Sequence, residues 1–134
     1  MLNLRLVFLV GIATVSAAQT QSPRKPPATL DGKELYVAYC ASCHGMDAKG
    51  KGPVASALKN PVPDLTLISK RRNGTFPVSD LEKMILGETS MNVIHGTHEM
   101  PVWGPVFQKV ENDQDLGLVR VRRVVEYLKS RQSR

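Results

Sequence analysis

The stretch Tyr39-Cys40-Ala41-Ser42-Cys43-His44-Gly45-Met46-Asp47 holds both cysteines of the chain, two residues apart, with a histidine directly behind the second. Three chemistries use so close a pair. A redox dithiol sets Cys-x-x-Cys at the start of a helix among alternating strands and helices, where the helix N-terminus lowers a thiol pKa. A zinc site needs two further ligands, and His95 and His98 could complete a tetrahedral set with Cys40 and Cys43. The third is c-type haem attachment, for which a histidine immediately after the second cysteine is a signature.

The flanking residues separate these readings. Asp31 precedes GKELYVAYC, and Glu34 stands three residues later, the pattern of a capping box that opens a helix. Leu35 with Tyr39 and Tyr36 with Cys40 then lie one helical turn apart, so the cysteines arrive at the end of a short amphipathic helix. A dithiol would sit at the other end of a helix and would need strands. A zinc site leaves His44 without a role. Haem attachment uses all three residues: two sulfurs add to two vinyl groups, and the intervening backbone bends so that His44 lies over the iron as an axial ligand. One pentapeptide both tethers and ligates.

The chain has 134 residues, enough for one domain, with an aromatic content of 5% and a hydrophobic content of 42%. Part of that apolar content falls in the first twenty residues, so the core is modest and a bound apolar cofactor would help to fill it. Arg5, an apolar run from Leu6 to Val15, and the small residues Ser16, Ala17 and Ala18 have the layout of a secretory signal peptide over residues 1–18. The run is shorter than the ~20 residues of a membrane-spanning helix. No cysteine stands there for lipid attachment, and an uncleaved anchor is the less favoured alternative. Export to the periplasm permits disulfides, but Cys40 and Cys43 would close a loop too small to staple distant parts. The formal charge of +6 favours partners with acidic docking surfaces, and export disfavours nucleic acid.

Residues 19–30 are polar and proline-rich and read as a flexible linker, with the domain over 31–130 and a tail at 131–134. A glycine- and proline-rich segment after His44 reads as a wrapping loop with one short helix, opened by Pro53 and ended near Asn60. Ser79 and Glu82 suggest a second capping box, with Gly87 as the stop. Val121, Val124, Val125 and Leu128 form a helical stripe between about Leu116 and Ser130. No stretch alternates as a strand does. The expected class is all-α, with long loops.

A haem iron held by His44 has a second axial position, and its occupant separates electron transfer from small-molecule chemistry. Met46 is too near His44 to reach the other face, and Met84 falls within a helix. Met91, His95, His98 and Met100 share the loop ETSMNVIHGTHEMPVWG. Pro101 pushes Met100 toward extended backbone, which fixes the direction in which its thioether projects. Methionine sulfur favours reduced iron, and His/Met ligation raises the potential. His95 and His98 remain competitors, with a lower potential.

Taken together, CASCHG after a short helix, GKGPVASALKNPVPDLT, EMPVWG and VVEYLKS resemble class I cytochromes c of the small bacterial monohaem type, from about Asp31 to Ser130. The resemblance implies a cytochrome c fold of about three to five short helices around one haem c, covalently attached through Cys40 and Cys43. It implies that the first and last helices pack, Tyr36 meeting Val124, Tyr127 and Leu128. It implies that Pro63 offers its carbonyl to Nδ1 of His44 and that Leu65 packs on the haem. Arg71, Arg72 and Trp103 are candidate partners of the haem propionates, with a solvated turn the simpler role for the arginines. The expected function is a periplasmic carrier of single electrons, not an enzyme, a monomer if free, with Lys49, Lys51 and Lys59 on a docking surface. A cytochrome subunit of a dehydrogenase or oxidase complex is the main alternative, and a haem peroxidase or gas-binding protein the lesser one.

Overall fold

The computed structural model describes residues 28–88, 100–109 and 114–133. The signal-peptide segment, most of the linker, and Met91, His95 and His98 lie outside the described residues.

Helix α1 (Gly32–Tyr39) starts where Asp31 caps it, its carboxylate accepting the Glu34 amide at 2.8 Å. The reciprocal arm of the expected box is replaced by Thr29, whose Oγ1 accepts the Asp31 amide at 3.0 Å. Cys40 ends α1 by donating its amide to the Tyr36 carbonyl, and α2 (Ala41–His44) begins at once. The four carbonyls of so short a helix have no partners within it. The loop beyond supplies them: the amides of Gly45, Val54, Gly52 and Gly50 bond in turn to the carbonyls of Ala41, Ser42, Cys43 and His44 at 2.8–3.0 Å. The glycine-rich segment is therefore a collar around the cysteine motif.

The helix expected after Pro53 is a single 3-10 turn at Ala55–Ala57, with Leu58 already extended. No side chain caps it, and Asn60 precedes Pro61, a position biased away from helical backbone. A second 3-10 turn, Leu65–Leu67, is capped by Asp64 and runs into α3 (Ile68–Arg71), which the sequence pattern does not disclose. Helix α4 (Val78–Leu86) begins one residue before Ser79, with Pro77 in the cap position and no side-chain cap bond. Ser79 thus lies inside the helix, and the second capping box does not form. Gly87 closes α4 in the left-handed region, as expected. Helix α5 (Gly104–Lys109) is a further element beyond the expectation, and α6 (Gln114–Ser130) is the long C-terminal helix. Among the described residues there are no strands, and the all-α class holds.

The core forms where α1 crosses α6. Leu35 and Tyr36 are fully buried, and Val121, Val124, Val125 and Leu128 present the predicted stripe to them. Gly32 permits the close approach, because a Cβ there would collide with the Arg123 carbonyl. The rings of Tyr36 and Tyr127 meet at 5.2 Å, tilted by 45°. Helices α4 and α5 pack on the same α6. Arg120 is buried there, its Nη1 donating to the Phe107 carbonyl at 3.2 Å and joining α6 to α5.

One bond ties this scaffold to the cysteine motif. The Tyr36 hydroxyl, buried, donates to the Gly45 carbonyl at 2.7 Å. Burial raises the Tyr36 pKa, with smaller contributions from Cys40 and Tyr127, so the hydroxyl stays a donor at neutral pH. Tyr36→Phe removes this bond while the Ala48 amide still donates to the same carbonyl at 3.1 Å, and it is expected to lower stability by about 0.5–1.5 kcal/mol. Urea melts at constant m-value measure this, and an unchanged midpoint would show that the bond contributes nothing.

Candidate haem site

Between α1–α2 on one side and α4 and α6 on the other lies a cleft of about 200 Å³. Its lining is mainly apolar, as that of a site for an apolar group is. Cys40, Cys43 and His44 line one part of it, Pro63 and Leu65 another, and Met84, Met100 and Trp103 contribute from the second half of the chain. Cys40 and Met100, 60 positions apart in the chain, thus share one cavity.

Cys40 stands at the junction of α1 and α2, and Cys43 one turn on; both are free thiols of intermediate exposure. The Cys40 thiol is pushed up to about 12, chiefly by burial and then by the neighbouring Cys43. A redox dithiol needs the opposite, a thiol whose pKa is lowered. His44 is nearly buried, with 8% of its surface exposed. Its Nδ1 faces the Pro63 carbonyl at 3.4 Å, the long end of hydrogen-bond range. A carbonyl only accepts, so the contact selects the tautomer with its proton on Nδ1, the form in which a histidine ligates metal through Nε2.

Pro63 reaches this place because the loop is drawn against the collar. Gly50 adopts φ +77° and its missing Cβ leaves room for the Val62 carbonyl, while Leu65 donates its amide to the Ala48 carbonyl at 2.8 Å. Met100 is half-buried at the cleft, and the segment behind it is seated on α4 by the Trp103 amide, which bonds to the Ile85 carbonyl at 3.0 Å. Trp103, Tyr39 and Phe107 form an aromatic cluster, with Tyr39 edge-on to Trp103 at 5.3 Å and to Phe107 at 4.9 Å. The Tyr39 hydroxyl is buried with no hydrogen-bond partner among the described residues, and burial raises its pKa. This cluster joins the end of α1 to α5. Sequence reasoning misses it, because aromatic residues at 39, 103 and 107 carry no common period.

The remaining candidates separate. Met46 is 65% exposed and outside the cleft, whereas Met84 belongs to the core and also touches the cleft. Arg71 and Arg72 do not line it. Arg71 donates to the Asp64 carbonyl at 2.8 Å and Arg72 pairs with Asp80 at 3.4 Å, and both are exposed. Trp103 does line the cleft. Among the described residues no three His, Cys, Asp or Glu side chains gather as a metal cluster.

A cleft walled by apolar side chains, with two thiols and a histidine whose Nδ1 faces a carbonyl, is the donor set that haem c requires: tethers for the ring edge, a ligand for iron, and apolar contact for the macrocycle. The family model described as cytochrome c oxidase, cbb3-type, subunit III, matches residues 27–128. The chain belongs to this cytochrome c family. It is accordingly a small class I-like monohaem domain, with covalently bound haem c and a role in haem-based electron transfer. The cbb3-type cytochrome c oxidase subunit FixP of Rhizobium meliloti (strain 1021) is 52% identical over 31 residues. That stretch is 23% of this chain and 11% of FixP, so the similarity spans only about a tenth of the relative's length. No solved structure matches. Among the described residues no helix is long and apolar enough to cross a membrane.

Proposed function

We propose that this cytochrome domain carries single electrons between protein partners in the periplasm, with Cys40 and Cys43 as thioether tethers and His44 and Met100 as axial ligands. The observation that carries the reading is the convergence of those four residues on one apolar cleft. Bound haem supplies an Fe(III)/Fe(II) couple. The chain's own residues do the rest. Cys40 and Cys43 would tether the group, and the Pro63 carbonyl orients His44 and would increase its basicity as a ligand. Leu65, Ile68, Leu81 and Ile85 exclude water from the cleft, and Met100 supplies a soft thioether that favours the reduced state.

Optical redox titration of the purified protein, with a haem assay, tests the reading. One covalent haem per chain and a high potential are expected; absence of covalent haem would end it. Family membership favours a second form of the same function, a cytochrome subunit held within an oxidase complex. Extraction of membranes separates the two: a free carrier is released by high salt or was never bound, and an integral partner retains the subunit.

Lys49 and Lys51 are on the collar next to the cysteine motif, and the chain as a whole is basic. Encounter with an acidic partner surface is then steered electrostatically. The second-order electron-transfer rate is expected to fall about tenfold or more from low to physiological ionic strength. A rate that is flat in salt, measured by stopped flow, would show that charge does not steer the docking.

A further inference from the structure

The proximal side of the site depends on a residue far from it in sequence. Gln132, just beyond α6, returns its side-chain amide to the loop that carries Pro63. Its Oε1 accepts the Ser69 amide at 2.9 Å, and its Nε2 donates to the carbonyls of Leu65 and Leu128, each at 2.8 Å. Ser133 adds a parallel strap, its amide donating to the Thr66 carbonyl at 2.8 Å. The amide cannot be inverted, since that would set Nε2 against the Ser69 donor and Oε1 against two carbonyls.

The loop needs such a clamp. Pro61 and Pro63 have no backbone N–H, so neither can fasten itself by an amide bond. The position of the Pro63 carbonyl is inherited from Leu65, two residues on, whose amide is held by Ala48 in front and whose carbonyl is held by Gln132 behind. Asp64 and Thr66 complete a rigid turn between them, the Thr66 amide and hydroxyl both donating to Asp64 Oδ1. We infer that Gln132 is a positioning residue for the iron's histidine ligand, acting through Leu65 and the Pro63 carbonyl on His44 Nδ1. The inference rests on the ligand assignment proposed above for His44.

Loss of the clamp lets the Pro63 carbonyl withdraw, and the His44 imidazole becomes a weaker donor to iron. The oxidised state is then less well stabilised. Removing a direct outer partner of a ligand changes affinity about 10–100-fold, and Gln132 acts one step further out. Gln132→Ala is therefore expected to shift the ferric–ferrous equilibrium about threefold toward the reduced state. It is also expected to speed solvent exchange of the His44 Nδ1 proton, measured by NMR in the reduced holoprotein, by about tenfold.

The comparison variant is Val121→Ala, which weakens the α1–α6 core away from the loop. It is expected to lower Tm while leaving the potential and the exchange rate as they were. Gln132→Glu keeps the acceptor for Ser69 and loses both donated bonds, so it serves if the alanine variant does not fold, with a shift in the same direction. If the Gln132 variants lower Tm but leave potential and exchange at wild-type values, the clamp is structural only and the inference is overturned. Wild-type protein that binds haem without His44 ligation, seen in the same NMR spectra, overturns the ligand assignment itself and the inference with it.

Discussion

The double variant Cys40→Ala/Cys43→Ala is expected to release all of its haem on acid extraction, where the wild type releases none. Thioether formation is the one step for which no other residue can substitute, since these are the only two cysteines in the chain. Each single variant keeps one tether and is expected to retain haem with an altered reduced-state spectrum. The consequence for the fold is as large as that for the chemistry. Without haem the apolar cleft of about 200 Å³ is left unfilled, which at ~24 cal/mol per Å³ sets an upper bound of about 5 kcal/mol on the packing lost. That is comparable to the whole stability of a small domain. Haem-free protein is therefore expected to lose its cooperative thermal transition, with far-UV circular dichroism well below that of the holoprotein. A haem-free variant that melts cooperatively at the wild-type temperature would show instead that the helices pack without the cofactor.

Met100→Ala is expected to abolish the weak long-wavelength iron–sulfur absorption of the oxidised protein. It is also expected to lower the midpoint potential by a sizeable part of the ~0.8 V range that axial ligands span. The sign comes from ligand softness: thioether stabilises Fe(II) more than Fe(III), and water or histidine in its place reverses that preference. An opened position would also bind carbon monoxide or cyanide rapidly at neutral pH, where the wild type should not. His95→Ala and His98→Ala provide the contrast, with both band and potential unchanged. Retention of the band in Met100→Ala would exclude Met100 as the ligand; its loss in one of the histidine variants with normal folding would implicate that loop histidine in holding the methionine.

Much of this site is legible in the sequence because its chemistry is local. Cys40, Cys43 and His44 are read from a pentapeptide whose spacing has a covalent reason, and Val121, Val124, Val125 and Leu128 from a period that only a helix turns into a face. Asp31 caps α1 as its position implies, because a cap bond spans three residues. The failures are equally physical. Ser79 has the pattern of a cap, yet the cap position is taken two residues earlier by Pro77 and α4 starts at Val78, and the Pro53 helix shrinks to one turn because nothing caps it. Helices α3 and α5, of four and six residues, are too short to display a period.

From the residues alone come the tethering pentapeptide, the stripe of the last helix and the all-α class, since each rests on contacts within one or two turns of chain. The fold adds whatever contacts between distant segments set: the place of the Pro63 carbonyl at His44, the meeting of Met100 and the cysteines in one cleft, the Tyr36 bond to Gly45 and the Gln132 clamp. A side-chain amide 67 residues from the carbonyl it holds leaves no trace in local pattern. Its partner is chosen by where α6 ends, and that is fixed by the packing of α6 against α1.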